Sequence, residues 1–210
     1  MKSLFVILIA AAPACFAQQW EFGAGAGGSF LTGAPVTASA GSATAGFKPG
    51  AAFGVFFGQD LYRRVSGEIR YGFIMSDLRL QGGGQEATFA GQSHVLHYDI
   101  LLHTIRGDNR KEFFAAFGGG MKIFRGTGKE TAYQPLMQYA LLTKSQAVEP
   151  MVSVGGGVKF AIAPRVSLRL EVRDYITPFP KDVIAPAAGA KIGGTLLHDI
   201  VPMVTLSFGM

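Results

Sequence analysis

Apolar and polar residues alternate strictly in several separate stretches of the chain, and the strand is the element that places successive side chains on opposite faces. In 165–173, Arg165, Ser167, Arg169, Glu171 and Arg173 share one face, and Val166, Leu168, Leu170 and Val172 share the other. The stretch 65–75 opposes Ser66, Glu68, Arg70 and Gly72 to Val65, Ile69, Tyr71 and Phe73. Segment 93–104 separates Ser93, His97, Asp99 and His103 from His94, Leu96, Tyr98, Ile100 and Leu102. Segment 112–123 sets Glu112, Gly118, Gly120 and Lys122 against Phe113, Phe117, Met121 and Ile123, and segment 151–160 sets Ser153, Gly155, Gly157 and Lys159 against Val152, Val154, Val158 and Phe160. Weaker versions run from Trp20 to Phe30, from Gly50 to Gly58 and from Val201 to Met210. The pattern predicts about eight strands, each of roughly the ten residues that cross a bilayer at a tilt.

The connections carry topology. Short links fall near 59–63, 106–111 and 163–164, and long ones near 31–48, 76–92, 125–148 and 177–198. In an up-and-down barrel every second connection emerges on the same side, so this alternation gathers the long loops on one rim and the tight turns on the other. Loop 31–48 is made of small polar residues and reads as a mobile spacer. Loop 125–148 carries Tyr133, Leu136, Met137, Tyr139, Leu141 and Leu142, too apolar for a merely solvated loop; it either folds over the barrel mouth, extends the hairpin or presents a contact surface. Pro178, Pro180 and Pro186 stiffen 177–198.

Alternation does not say which face is inside. Gly118, Gly120, Gly155 and Gly157 crowd the charged face, as a narrow bore filled with long side chains requires. Trp20, Tyr71, Phe73, Phe113, Phe160 and Phe208 lie near strand ends on the apolar face, where interfacial girdles belong. The expected arrangement is therefore an apolar exterior, with Glu21, Glu68, Arg70, His97, Asp99, Lys122, Lys159, Arg169, Glu171 and Arg173 pointing into the bore. Slipping 165–173 by one residue would turn Arg169, Glu171 and Arg173 toward lipid, on the order of 5–10 kcal/mol against it. Opposite charges in so narrow a space must pair, which predicts an internal salt-bridge network. That network reads as a polar plug, with a gate on a small ion path as the alternative; eight strands leave no room for a wide pore.

Composition narrows the destination. The 210 residues suit one domain; glycine is frequent at 29 residues, and charged residues are scarce at 16%. The uninterrupted apolar stretch Leu4 to Ala12 is far below the roughly 20 residues of a membrane helix, so any crossing must be made by strands. Lys2, Leu4–Ala12 and Cys15-Phe16-Ala17 instead match a secretory signal peptide over 1–17, leaving 18–210 as the barrel domain. Acylation at Cys15 is the alternative processing. Cys15 is the only cysteine, so an internal disulfide is impossible. The net charge of +5 is spread rather than clustered, which argues against nucleic acid as a partner and suits anionic lipid headgroups.

Catalytic signals are weak. His97 and Asp99, two apart on one face, could form a metal or acid–base pair, but hydrogen bonding within the bore accounts for them; neither a metal nor another cofactor is expected. A lipid hydrolase would need a nucleophile, base and acid on the outer face near the rim. His94 and Asp77 have that placement, while Ser76 and Ser93 have the opposite parity.

With these features the chain resembles the OmpA-like/OmpX-like eight-stranded outer-membrane β-barrels over essentially all of 18–210. The likeness rests on the signal segment, strands such as VSLRLEVRDY, the turn and loop rhythm, and the closing strand VPMVTLSFGM. It departs from the family in that Phe208, the expected terminal aromatic, is followed by Gly209 and Met210. The resemblance implies an all-β transmembrane antiparallel barrel in the outer membrane of a Gram-negative-type bacterium, non-enzymatic, with a role in envelope structure or surface interaction. It implies lipids and lipopolysaccharide as surroundings, and the barrel-assembly machinery as a partner during biogenesis. No room is expected for a peptidoglycan-binding domain. A narrow solute passage and a lipid-modifying enzyme are the alternative functions.

Overall fold

The computed structural model describes residues 19–104, 111–194 and 196–210. The signal segment 1–17, Cys15 and residues 106–110 of one short link lie outside the described residues. Eight strands close into an antiparallel barrel: β1 (Trp20–Leu31), β4 (Gly50–Tyr62), β5 (Val65–Met75), β8 (Gly91–His103), β9 (Lys111–Gly126), β11 (Gln146–Ala163), β12 (Val166–Pro178) and β15 (Leu196–Gly209). Around the ring the order is β1-β15-β12-β11-β9-β8-β5-β4, so each strand pairs with its neighbours along the chain and β15 returns to β1. The short links are tight: Arg63 and Arg64 join β4 to β5, and Pro164 and Arg165 join β11 to β12, each beside a bulge, at Asp60/Tyr62 and Ala161/Ala163. The β1–β15 ladder skips Gly28 and Ser29 where it faces Pro202, which has no N–H to donate.

The wall faces outward with its apolar half. Phe117 (63% exposed), Phe113, Leu102, Val204 and Leu206 are among the large apolar side chains on the outside, while Glu68, Arg70, Asp99, Arg169, Glu171 and Arg173 are buried within. An apolar exterior around a charged bore is the reverse of a soluble barrel and is what a bilayer demands. It makes outward substitutions depth-dependent. Leu170→Arg, at the middle of β12, is expected to destabilise the barrel in lipid vesicles by about 2–4 kcal/mol, and Val166→Arg at its turn end by about 0–1 kcal/mol; equal effects in urea titrations would contradict a membrane-embedded wall.

The long links do not hang free. β2 (Ala34–Ala38), β3 (Gly41–Phe47), β6 (Leu78–Gly82), β7 (Gln85–Phe89) and β14 (Lys191–Ile192) form a five-stranded sheet ordered β14-β2-β3-β6-β7, and β10 (Ala140–Leu142) pairs with β13 (Ile184–Pro186). The expectation of a mobile spacer at 31–48 is therefore corrected: the segment is the β2–β3 hairpin. Ala34 and Val36 on β2, and Ala43, Ala45 and Phe47 on β3, carry a period-2 apolar face made mostly of alanine, which composition alone reads as small and featureless. That face packs on Leu78, Leu80, Phe89, Leu136, Leu142 and Ile184. Of the three options for 125–148, the segment folds over the mouth. Leu136, Tyr139 and Leu142 are buried there while Tyr133 stays 74% exposed. Phe124, Ala147 and Leu197, from the upper ends of barrel strands, join the same core, and the rings of Phe47 and Phe124 stack at 5.2 Å. The barrel mouth is thus closed by a folded cap with an apolar core of its own.

Candidate functional site

β5 and β12 lie four places apart in a ring of eight, on opposite sides of the bore, and both send alternating charged side chains inward. The two sets meet across the diameter. Arg70 on β5 donates to Glu171 on β12 at 2.7 Å and to Glu68 at 3.0 Å. Arg169 does the same in reverse, reaching Glu68 at 2.9 Å and Glu171 at 3.1 Å. Arg173 bridges Glu68 at 2.7 Å and Glu171 at 3.3 Å, and also donates to Asp99 on β8. His97 Nδ1 lies 2.9 Å from Asp99 Oδ1, and Ser153 and Thr205 hydroxyls donate to Asp99 and Glu171.

Three guanidiniums thus face three carboxylates, and each guanidinium touches at least two of them. Burying such groups is tolerable only in that balanced, multiply bonded form. The planar guanidinium fork suits this bridging better than an ammonium would. Arg169 is further held between the rings of Phe56 and Phe114, 4.3 and 4.7 Å from their centres. Glycines make the space: a Cβ at Gly157 would come within 2.9 Å of the Cβ of Glu171, and one at Gly118 would strike the Asp99 carboxylate.

Lys122 and Lys159 belong to separate pairs. Nearer the cap, Lys122 donates to Asp199 at 2.5 Å, and Asp199 accepts a second bond from Ser29 at 2.6 Å. At the turn rim, Lys159 pairs with Glu21 at 2.8 Å, and His103 bonds Ser66 at 2.6 Å. Ala52, Ile74, Val95, Met151, Tyr175, Val201 and Met203 fill the space on the cap side of the central cluster. A cavity of about 30 Å³ lies at the turn rim, between Glu21, Asp60, His103 and Lys159. Among the described residues, the Lys159–Glu21 pair, the central cluster and the Lys122–Asp199 pair follow one another along the bore.

Sequence parity alone leaves Phe56, Phe114, Tyr175, Ser29 and Asp199 unassigned. Phe56 and Phe114 each follow or precede an outward phenylalanine, so the polar-inside rule gives no signal for them. Asp199 falls at the edge of a loop in the sequence pattern because β15 begins earlier than its clear alternation suggests. No group of three or more candidate metal ligands occurs among the described residues. On the outer wall, His94 Nδ1 lies 2.7 Å from the Tyr71 hydroxyl with its ring against Phe73, and Asp77 Oδ1 accepts the Gly91 N–H, so the two are held by separate structural contacts. A second outward pair, His198 Nδ1 to Asp174 Oδ2 at 2.7 Å, sits near the cap.

The structure matches that of Neisserial surface protein A with a TM-score of 0.54, over 90% of this chain and 96% of that one, at 9% identity. The fold is that of the small outer-membrane barrels. Two further such barrels are similar: OprG of Pseudomonas aeruginosa (TM-score 0.56, 8% identity, 91% of this chain and 95% of that one) and a major outer membrane protein of Thermus thermophilus (0.54, 16% identity, 92% and 99%). At these identities the likeness is one of fold. No family model matches the sequence, and no curated protein sequence does. This outer-membrane-type barrel shares its architecture with those proteins, and its cluster residues are its own to explain.

Proposed function

We propose that the protein is a non-conducting, non-enzymatic barrel of the bacterial outer membrane, holding a folded cap above the lipid surface for envelope structure or surface contact. The observation that carries this reading is the double closure of the bore, by the Glu68–Arg70–Arg169–Glu171–Arg173–Asp99 cluster and by the apolar core of the cap. An ion crossing the cluster would have to separate charges that are buried and paired with one another, at a large electrostatic cost. A surface role is supported by the ordering of all four long links on one rim, where mobile loops would serve a mere spacer equally well. The reading without catalysis is supported by the engagement of His94 and Asp77 in separate wall contacts.

Planar-bilayer recording tests it directly. The refolded protein, verified by heat-modifiable gel migration, gives no discrete conductance steps; unitary steps that change in Arg169→Ala would replace the plug with a gated passage.

A further inference from the structure

The cap sheet ends in a strand whose outer side is open. β6 and β7 are joined by Gly83 and Gly84, both with positive φ, 56° and 77°. Two such residues make a type I′ turn. Its closing pair, Gly82 and Gln85, exchanges both main-chain hydrogen bonds, and bonded and non-bonded pairs alternate from there. Leu80–Ala87 and Leu78–Phe89 are then bonded, while Glu86 and Thr88 turn their N–H and C=O groups away from β6. Among the described residues no second strand pairs with β7.

A recess of about 260 Å³ runs beside that edge, with Phe89, Pro135 and Leu142 in its apolar lining and Glu86, Lys129 and Gln134 in its polar one. The neighbouring chain begins attached, since Ala90 O accepts from Thr127 N at 2.8 Å and Gly128 N at 3.2 Å, and then departs. Across the recess the other sheet is treated differently. The Gln134 side-chain amide donates to Leu142 O at 2.9 Å and accepts from Leu142 N at 3.1 Å, standing in for a strand along β10. One edge is blocked and the facing one is left bare. Edge strands are usually blunted by proline, a bulge, a charge or a cover. β7 has neither proline nor bulge, and its Glu86 carboxylate is engaged by Lys48 at 2.8 Å and Gln81 at 3.0 Å.

We propose that β7 is a strand-addition site, taking an extended peptide segment of a partner protein as a further strand of the cap sheet. Bare main-chain groups call for a partner backbone in extended form. The lining calls for a modest apolar side chain toward Phe89 and Leu142, and Lys129 favours an acidic neighbour. The proposal rests on the membrane reading only for placing β7 outside the cell.

The test uses the whole protein in detergent micelles, where the edge is open or closed whatever membrane holds the barrel. The probe is a capped peptide, Thr-Val-Asp-Val-Thr, alongside the same peptide N-methylated at every amide, which leaves neither edge able to donate. Amide hydrogen exchange at Glu86 and Thr88 should slow about tenfold with the first at millimolar concentration, and stay unchanged with the second. Thr88→Pro should keep the fold, since that N–H is not in the β6 ladder, and lose the response. Protection already present without peptide, equal responses to both peptides, or no response would overturn the proposal. Protection that rises with protein concentration alone would assign the edge to a second copy of this chain and overturn it as well.

Discussion

Alanine at Glu171 lowers the stability of the barrel by about 3–5 kcal/mol, the usual loss when one partner of a buried ionic network is removed. Glu171 accepts from Arg70, Arg169 and Arg173, and its side chain is buried among them. Without it, three guanidiniums face only Glu68 and Asp99, and water has no ready route to the surplus charge. Glu171→Gln should behave much like the alanine variant, because charge and not shape is the missing quantity. Replacing Glu171 and Arg70 together by methionine returns the cluster to two of each sign and should recover most of the loss, as double substitution of a buried pair often does. Urea titrations in lipid vesicles, followed by heat-modifiable migration, measure all three. A loss below about 1 kcal/mol for Glu171→Ala would mean that solvent screens the site as it does a surface pair, and the bore could not then be called closed.

Phe124→Ala should cost about 3–5 kcal/mol and express it chiefly in the cap. The ring is 1% exposed, stacks on Phe47 and lies under the Lys122 ammonium at 4.9 Å. It is the wedge between barrel and cap, so its removal opens a cavity where the two layers meet. Limited proteolysis is the appropriate measurement: cleavage should rise within 127–145 while the barrel strands stay protected. Unchanged protection of that segment would show that the cap does not depend on this ring.

How far the fold can be read from sequence depends on which residues carry the alternation. β12 is legible because Arg169, Glu171 and Arg173 alternate with Leu168, Leu170 and Val172, the largest contrast available. β2 and β3 are not, because most of the alternation there sets alanine against proline, serine, threonine and glycine, and the contrast between such small side chains is slight. Parity also gives the direction of each charged side chain but not its partner. Arg70 meets Glu171, 101 residues away, because closure sets β5 opposite β12, a relation that belongs to the ring and not to any stretch of chain. The same holds for Lys122 and Asp199, and for the ring pair around Arg169. Pairing in a closed cylinder is decided by the last strand to dock.

That last docking has a consequence for how the molecule comes into being. β15 must find β1 at the far end of the barrel sequence, as in the match of Glu21 with Gly209. Before it does, the polypeptide is a curling ribbon whose two charged strands, β5 and β12, stand apart on the same concave side. Zipping the seam and bringing Arg70 to Glu171 and Arg169 to Glu68 across the bore are thus one event, and a half-made cylinder would carry these side chains only partly paired into lipid. Assembly of this protein should accordingly run as a single concerted closure at the bilayer, with no long-lived intermediate embedded in it.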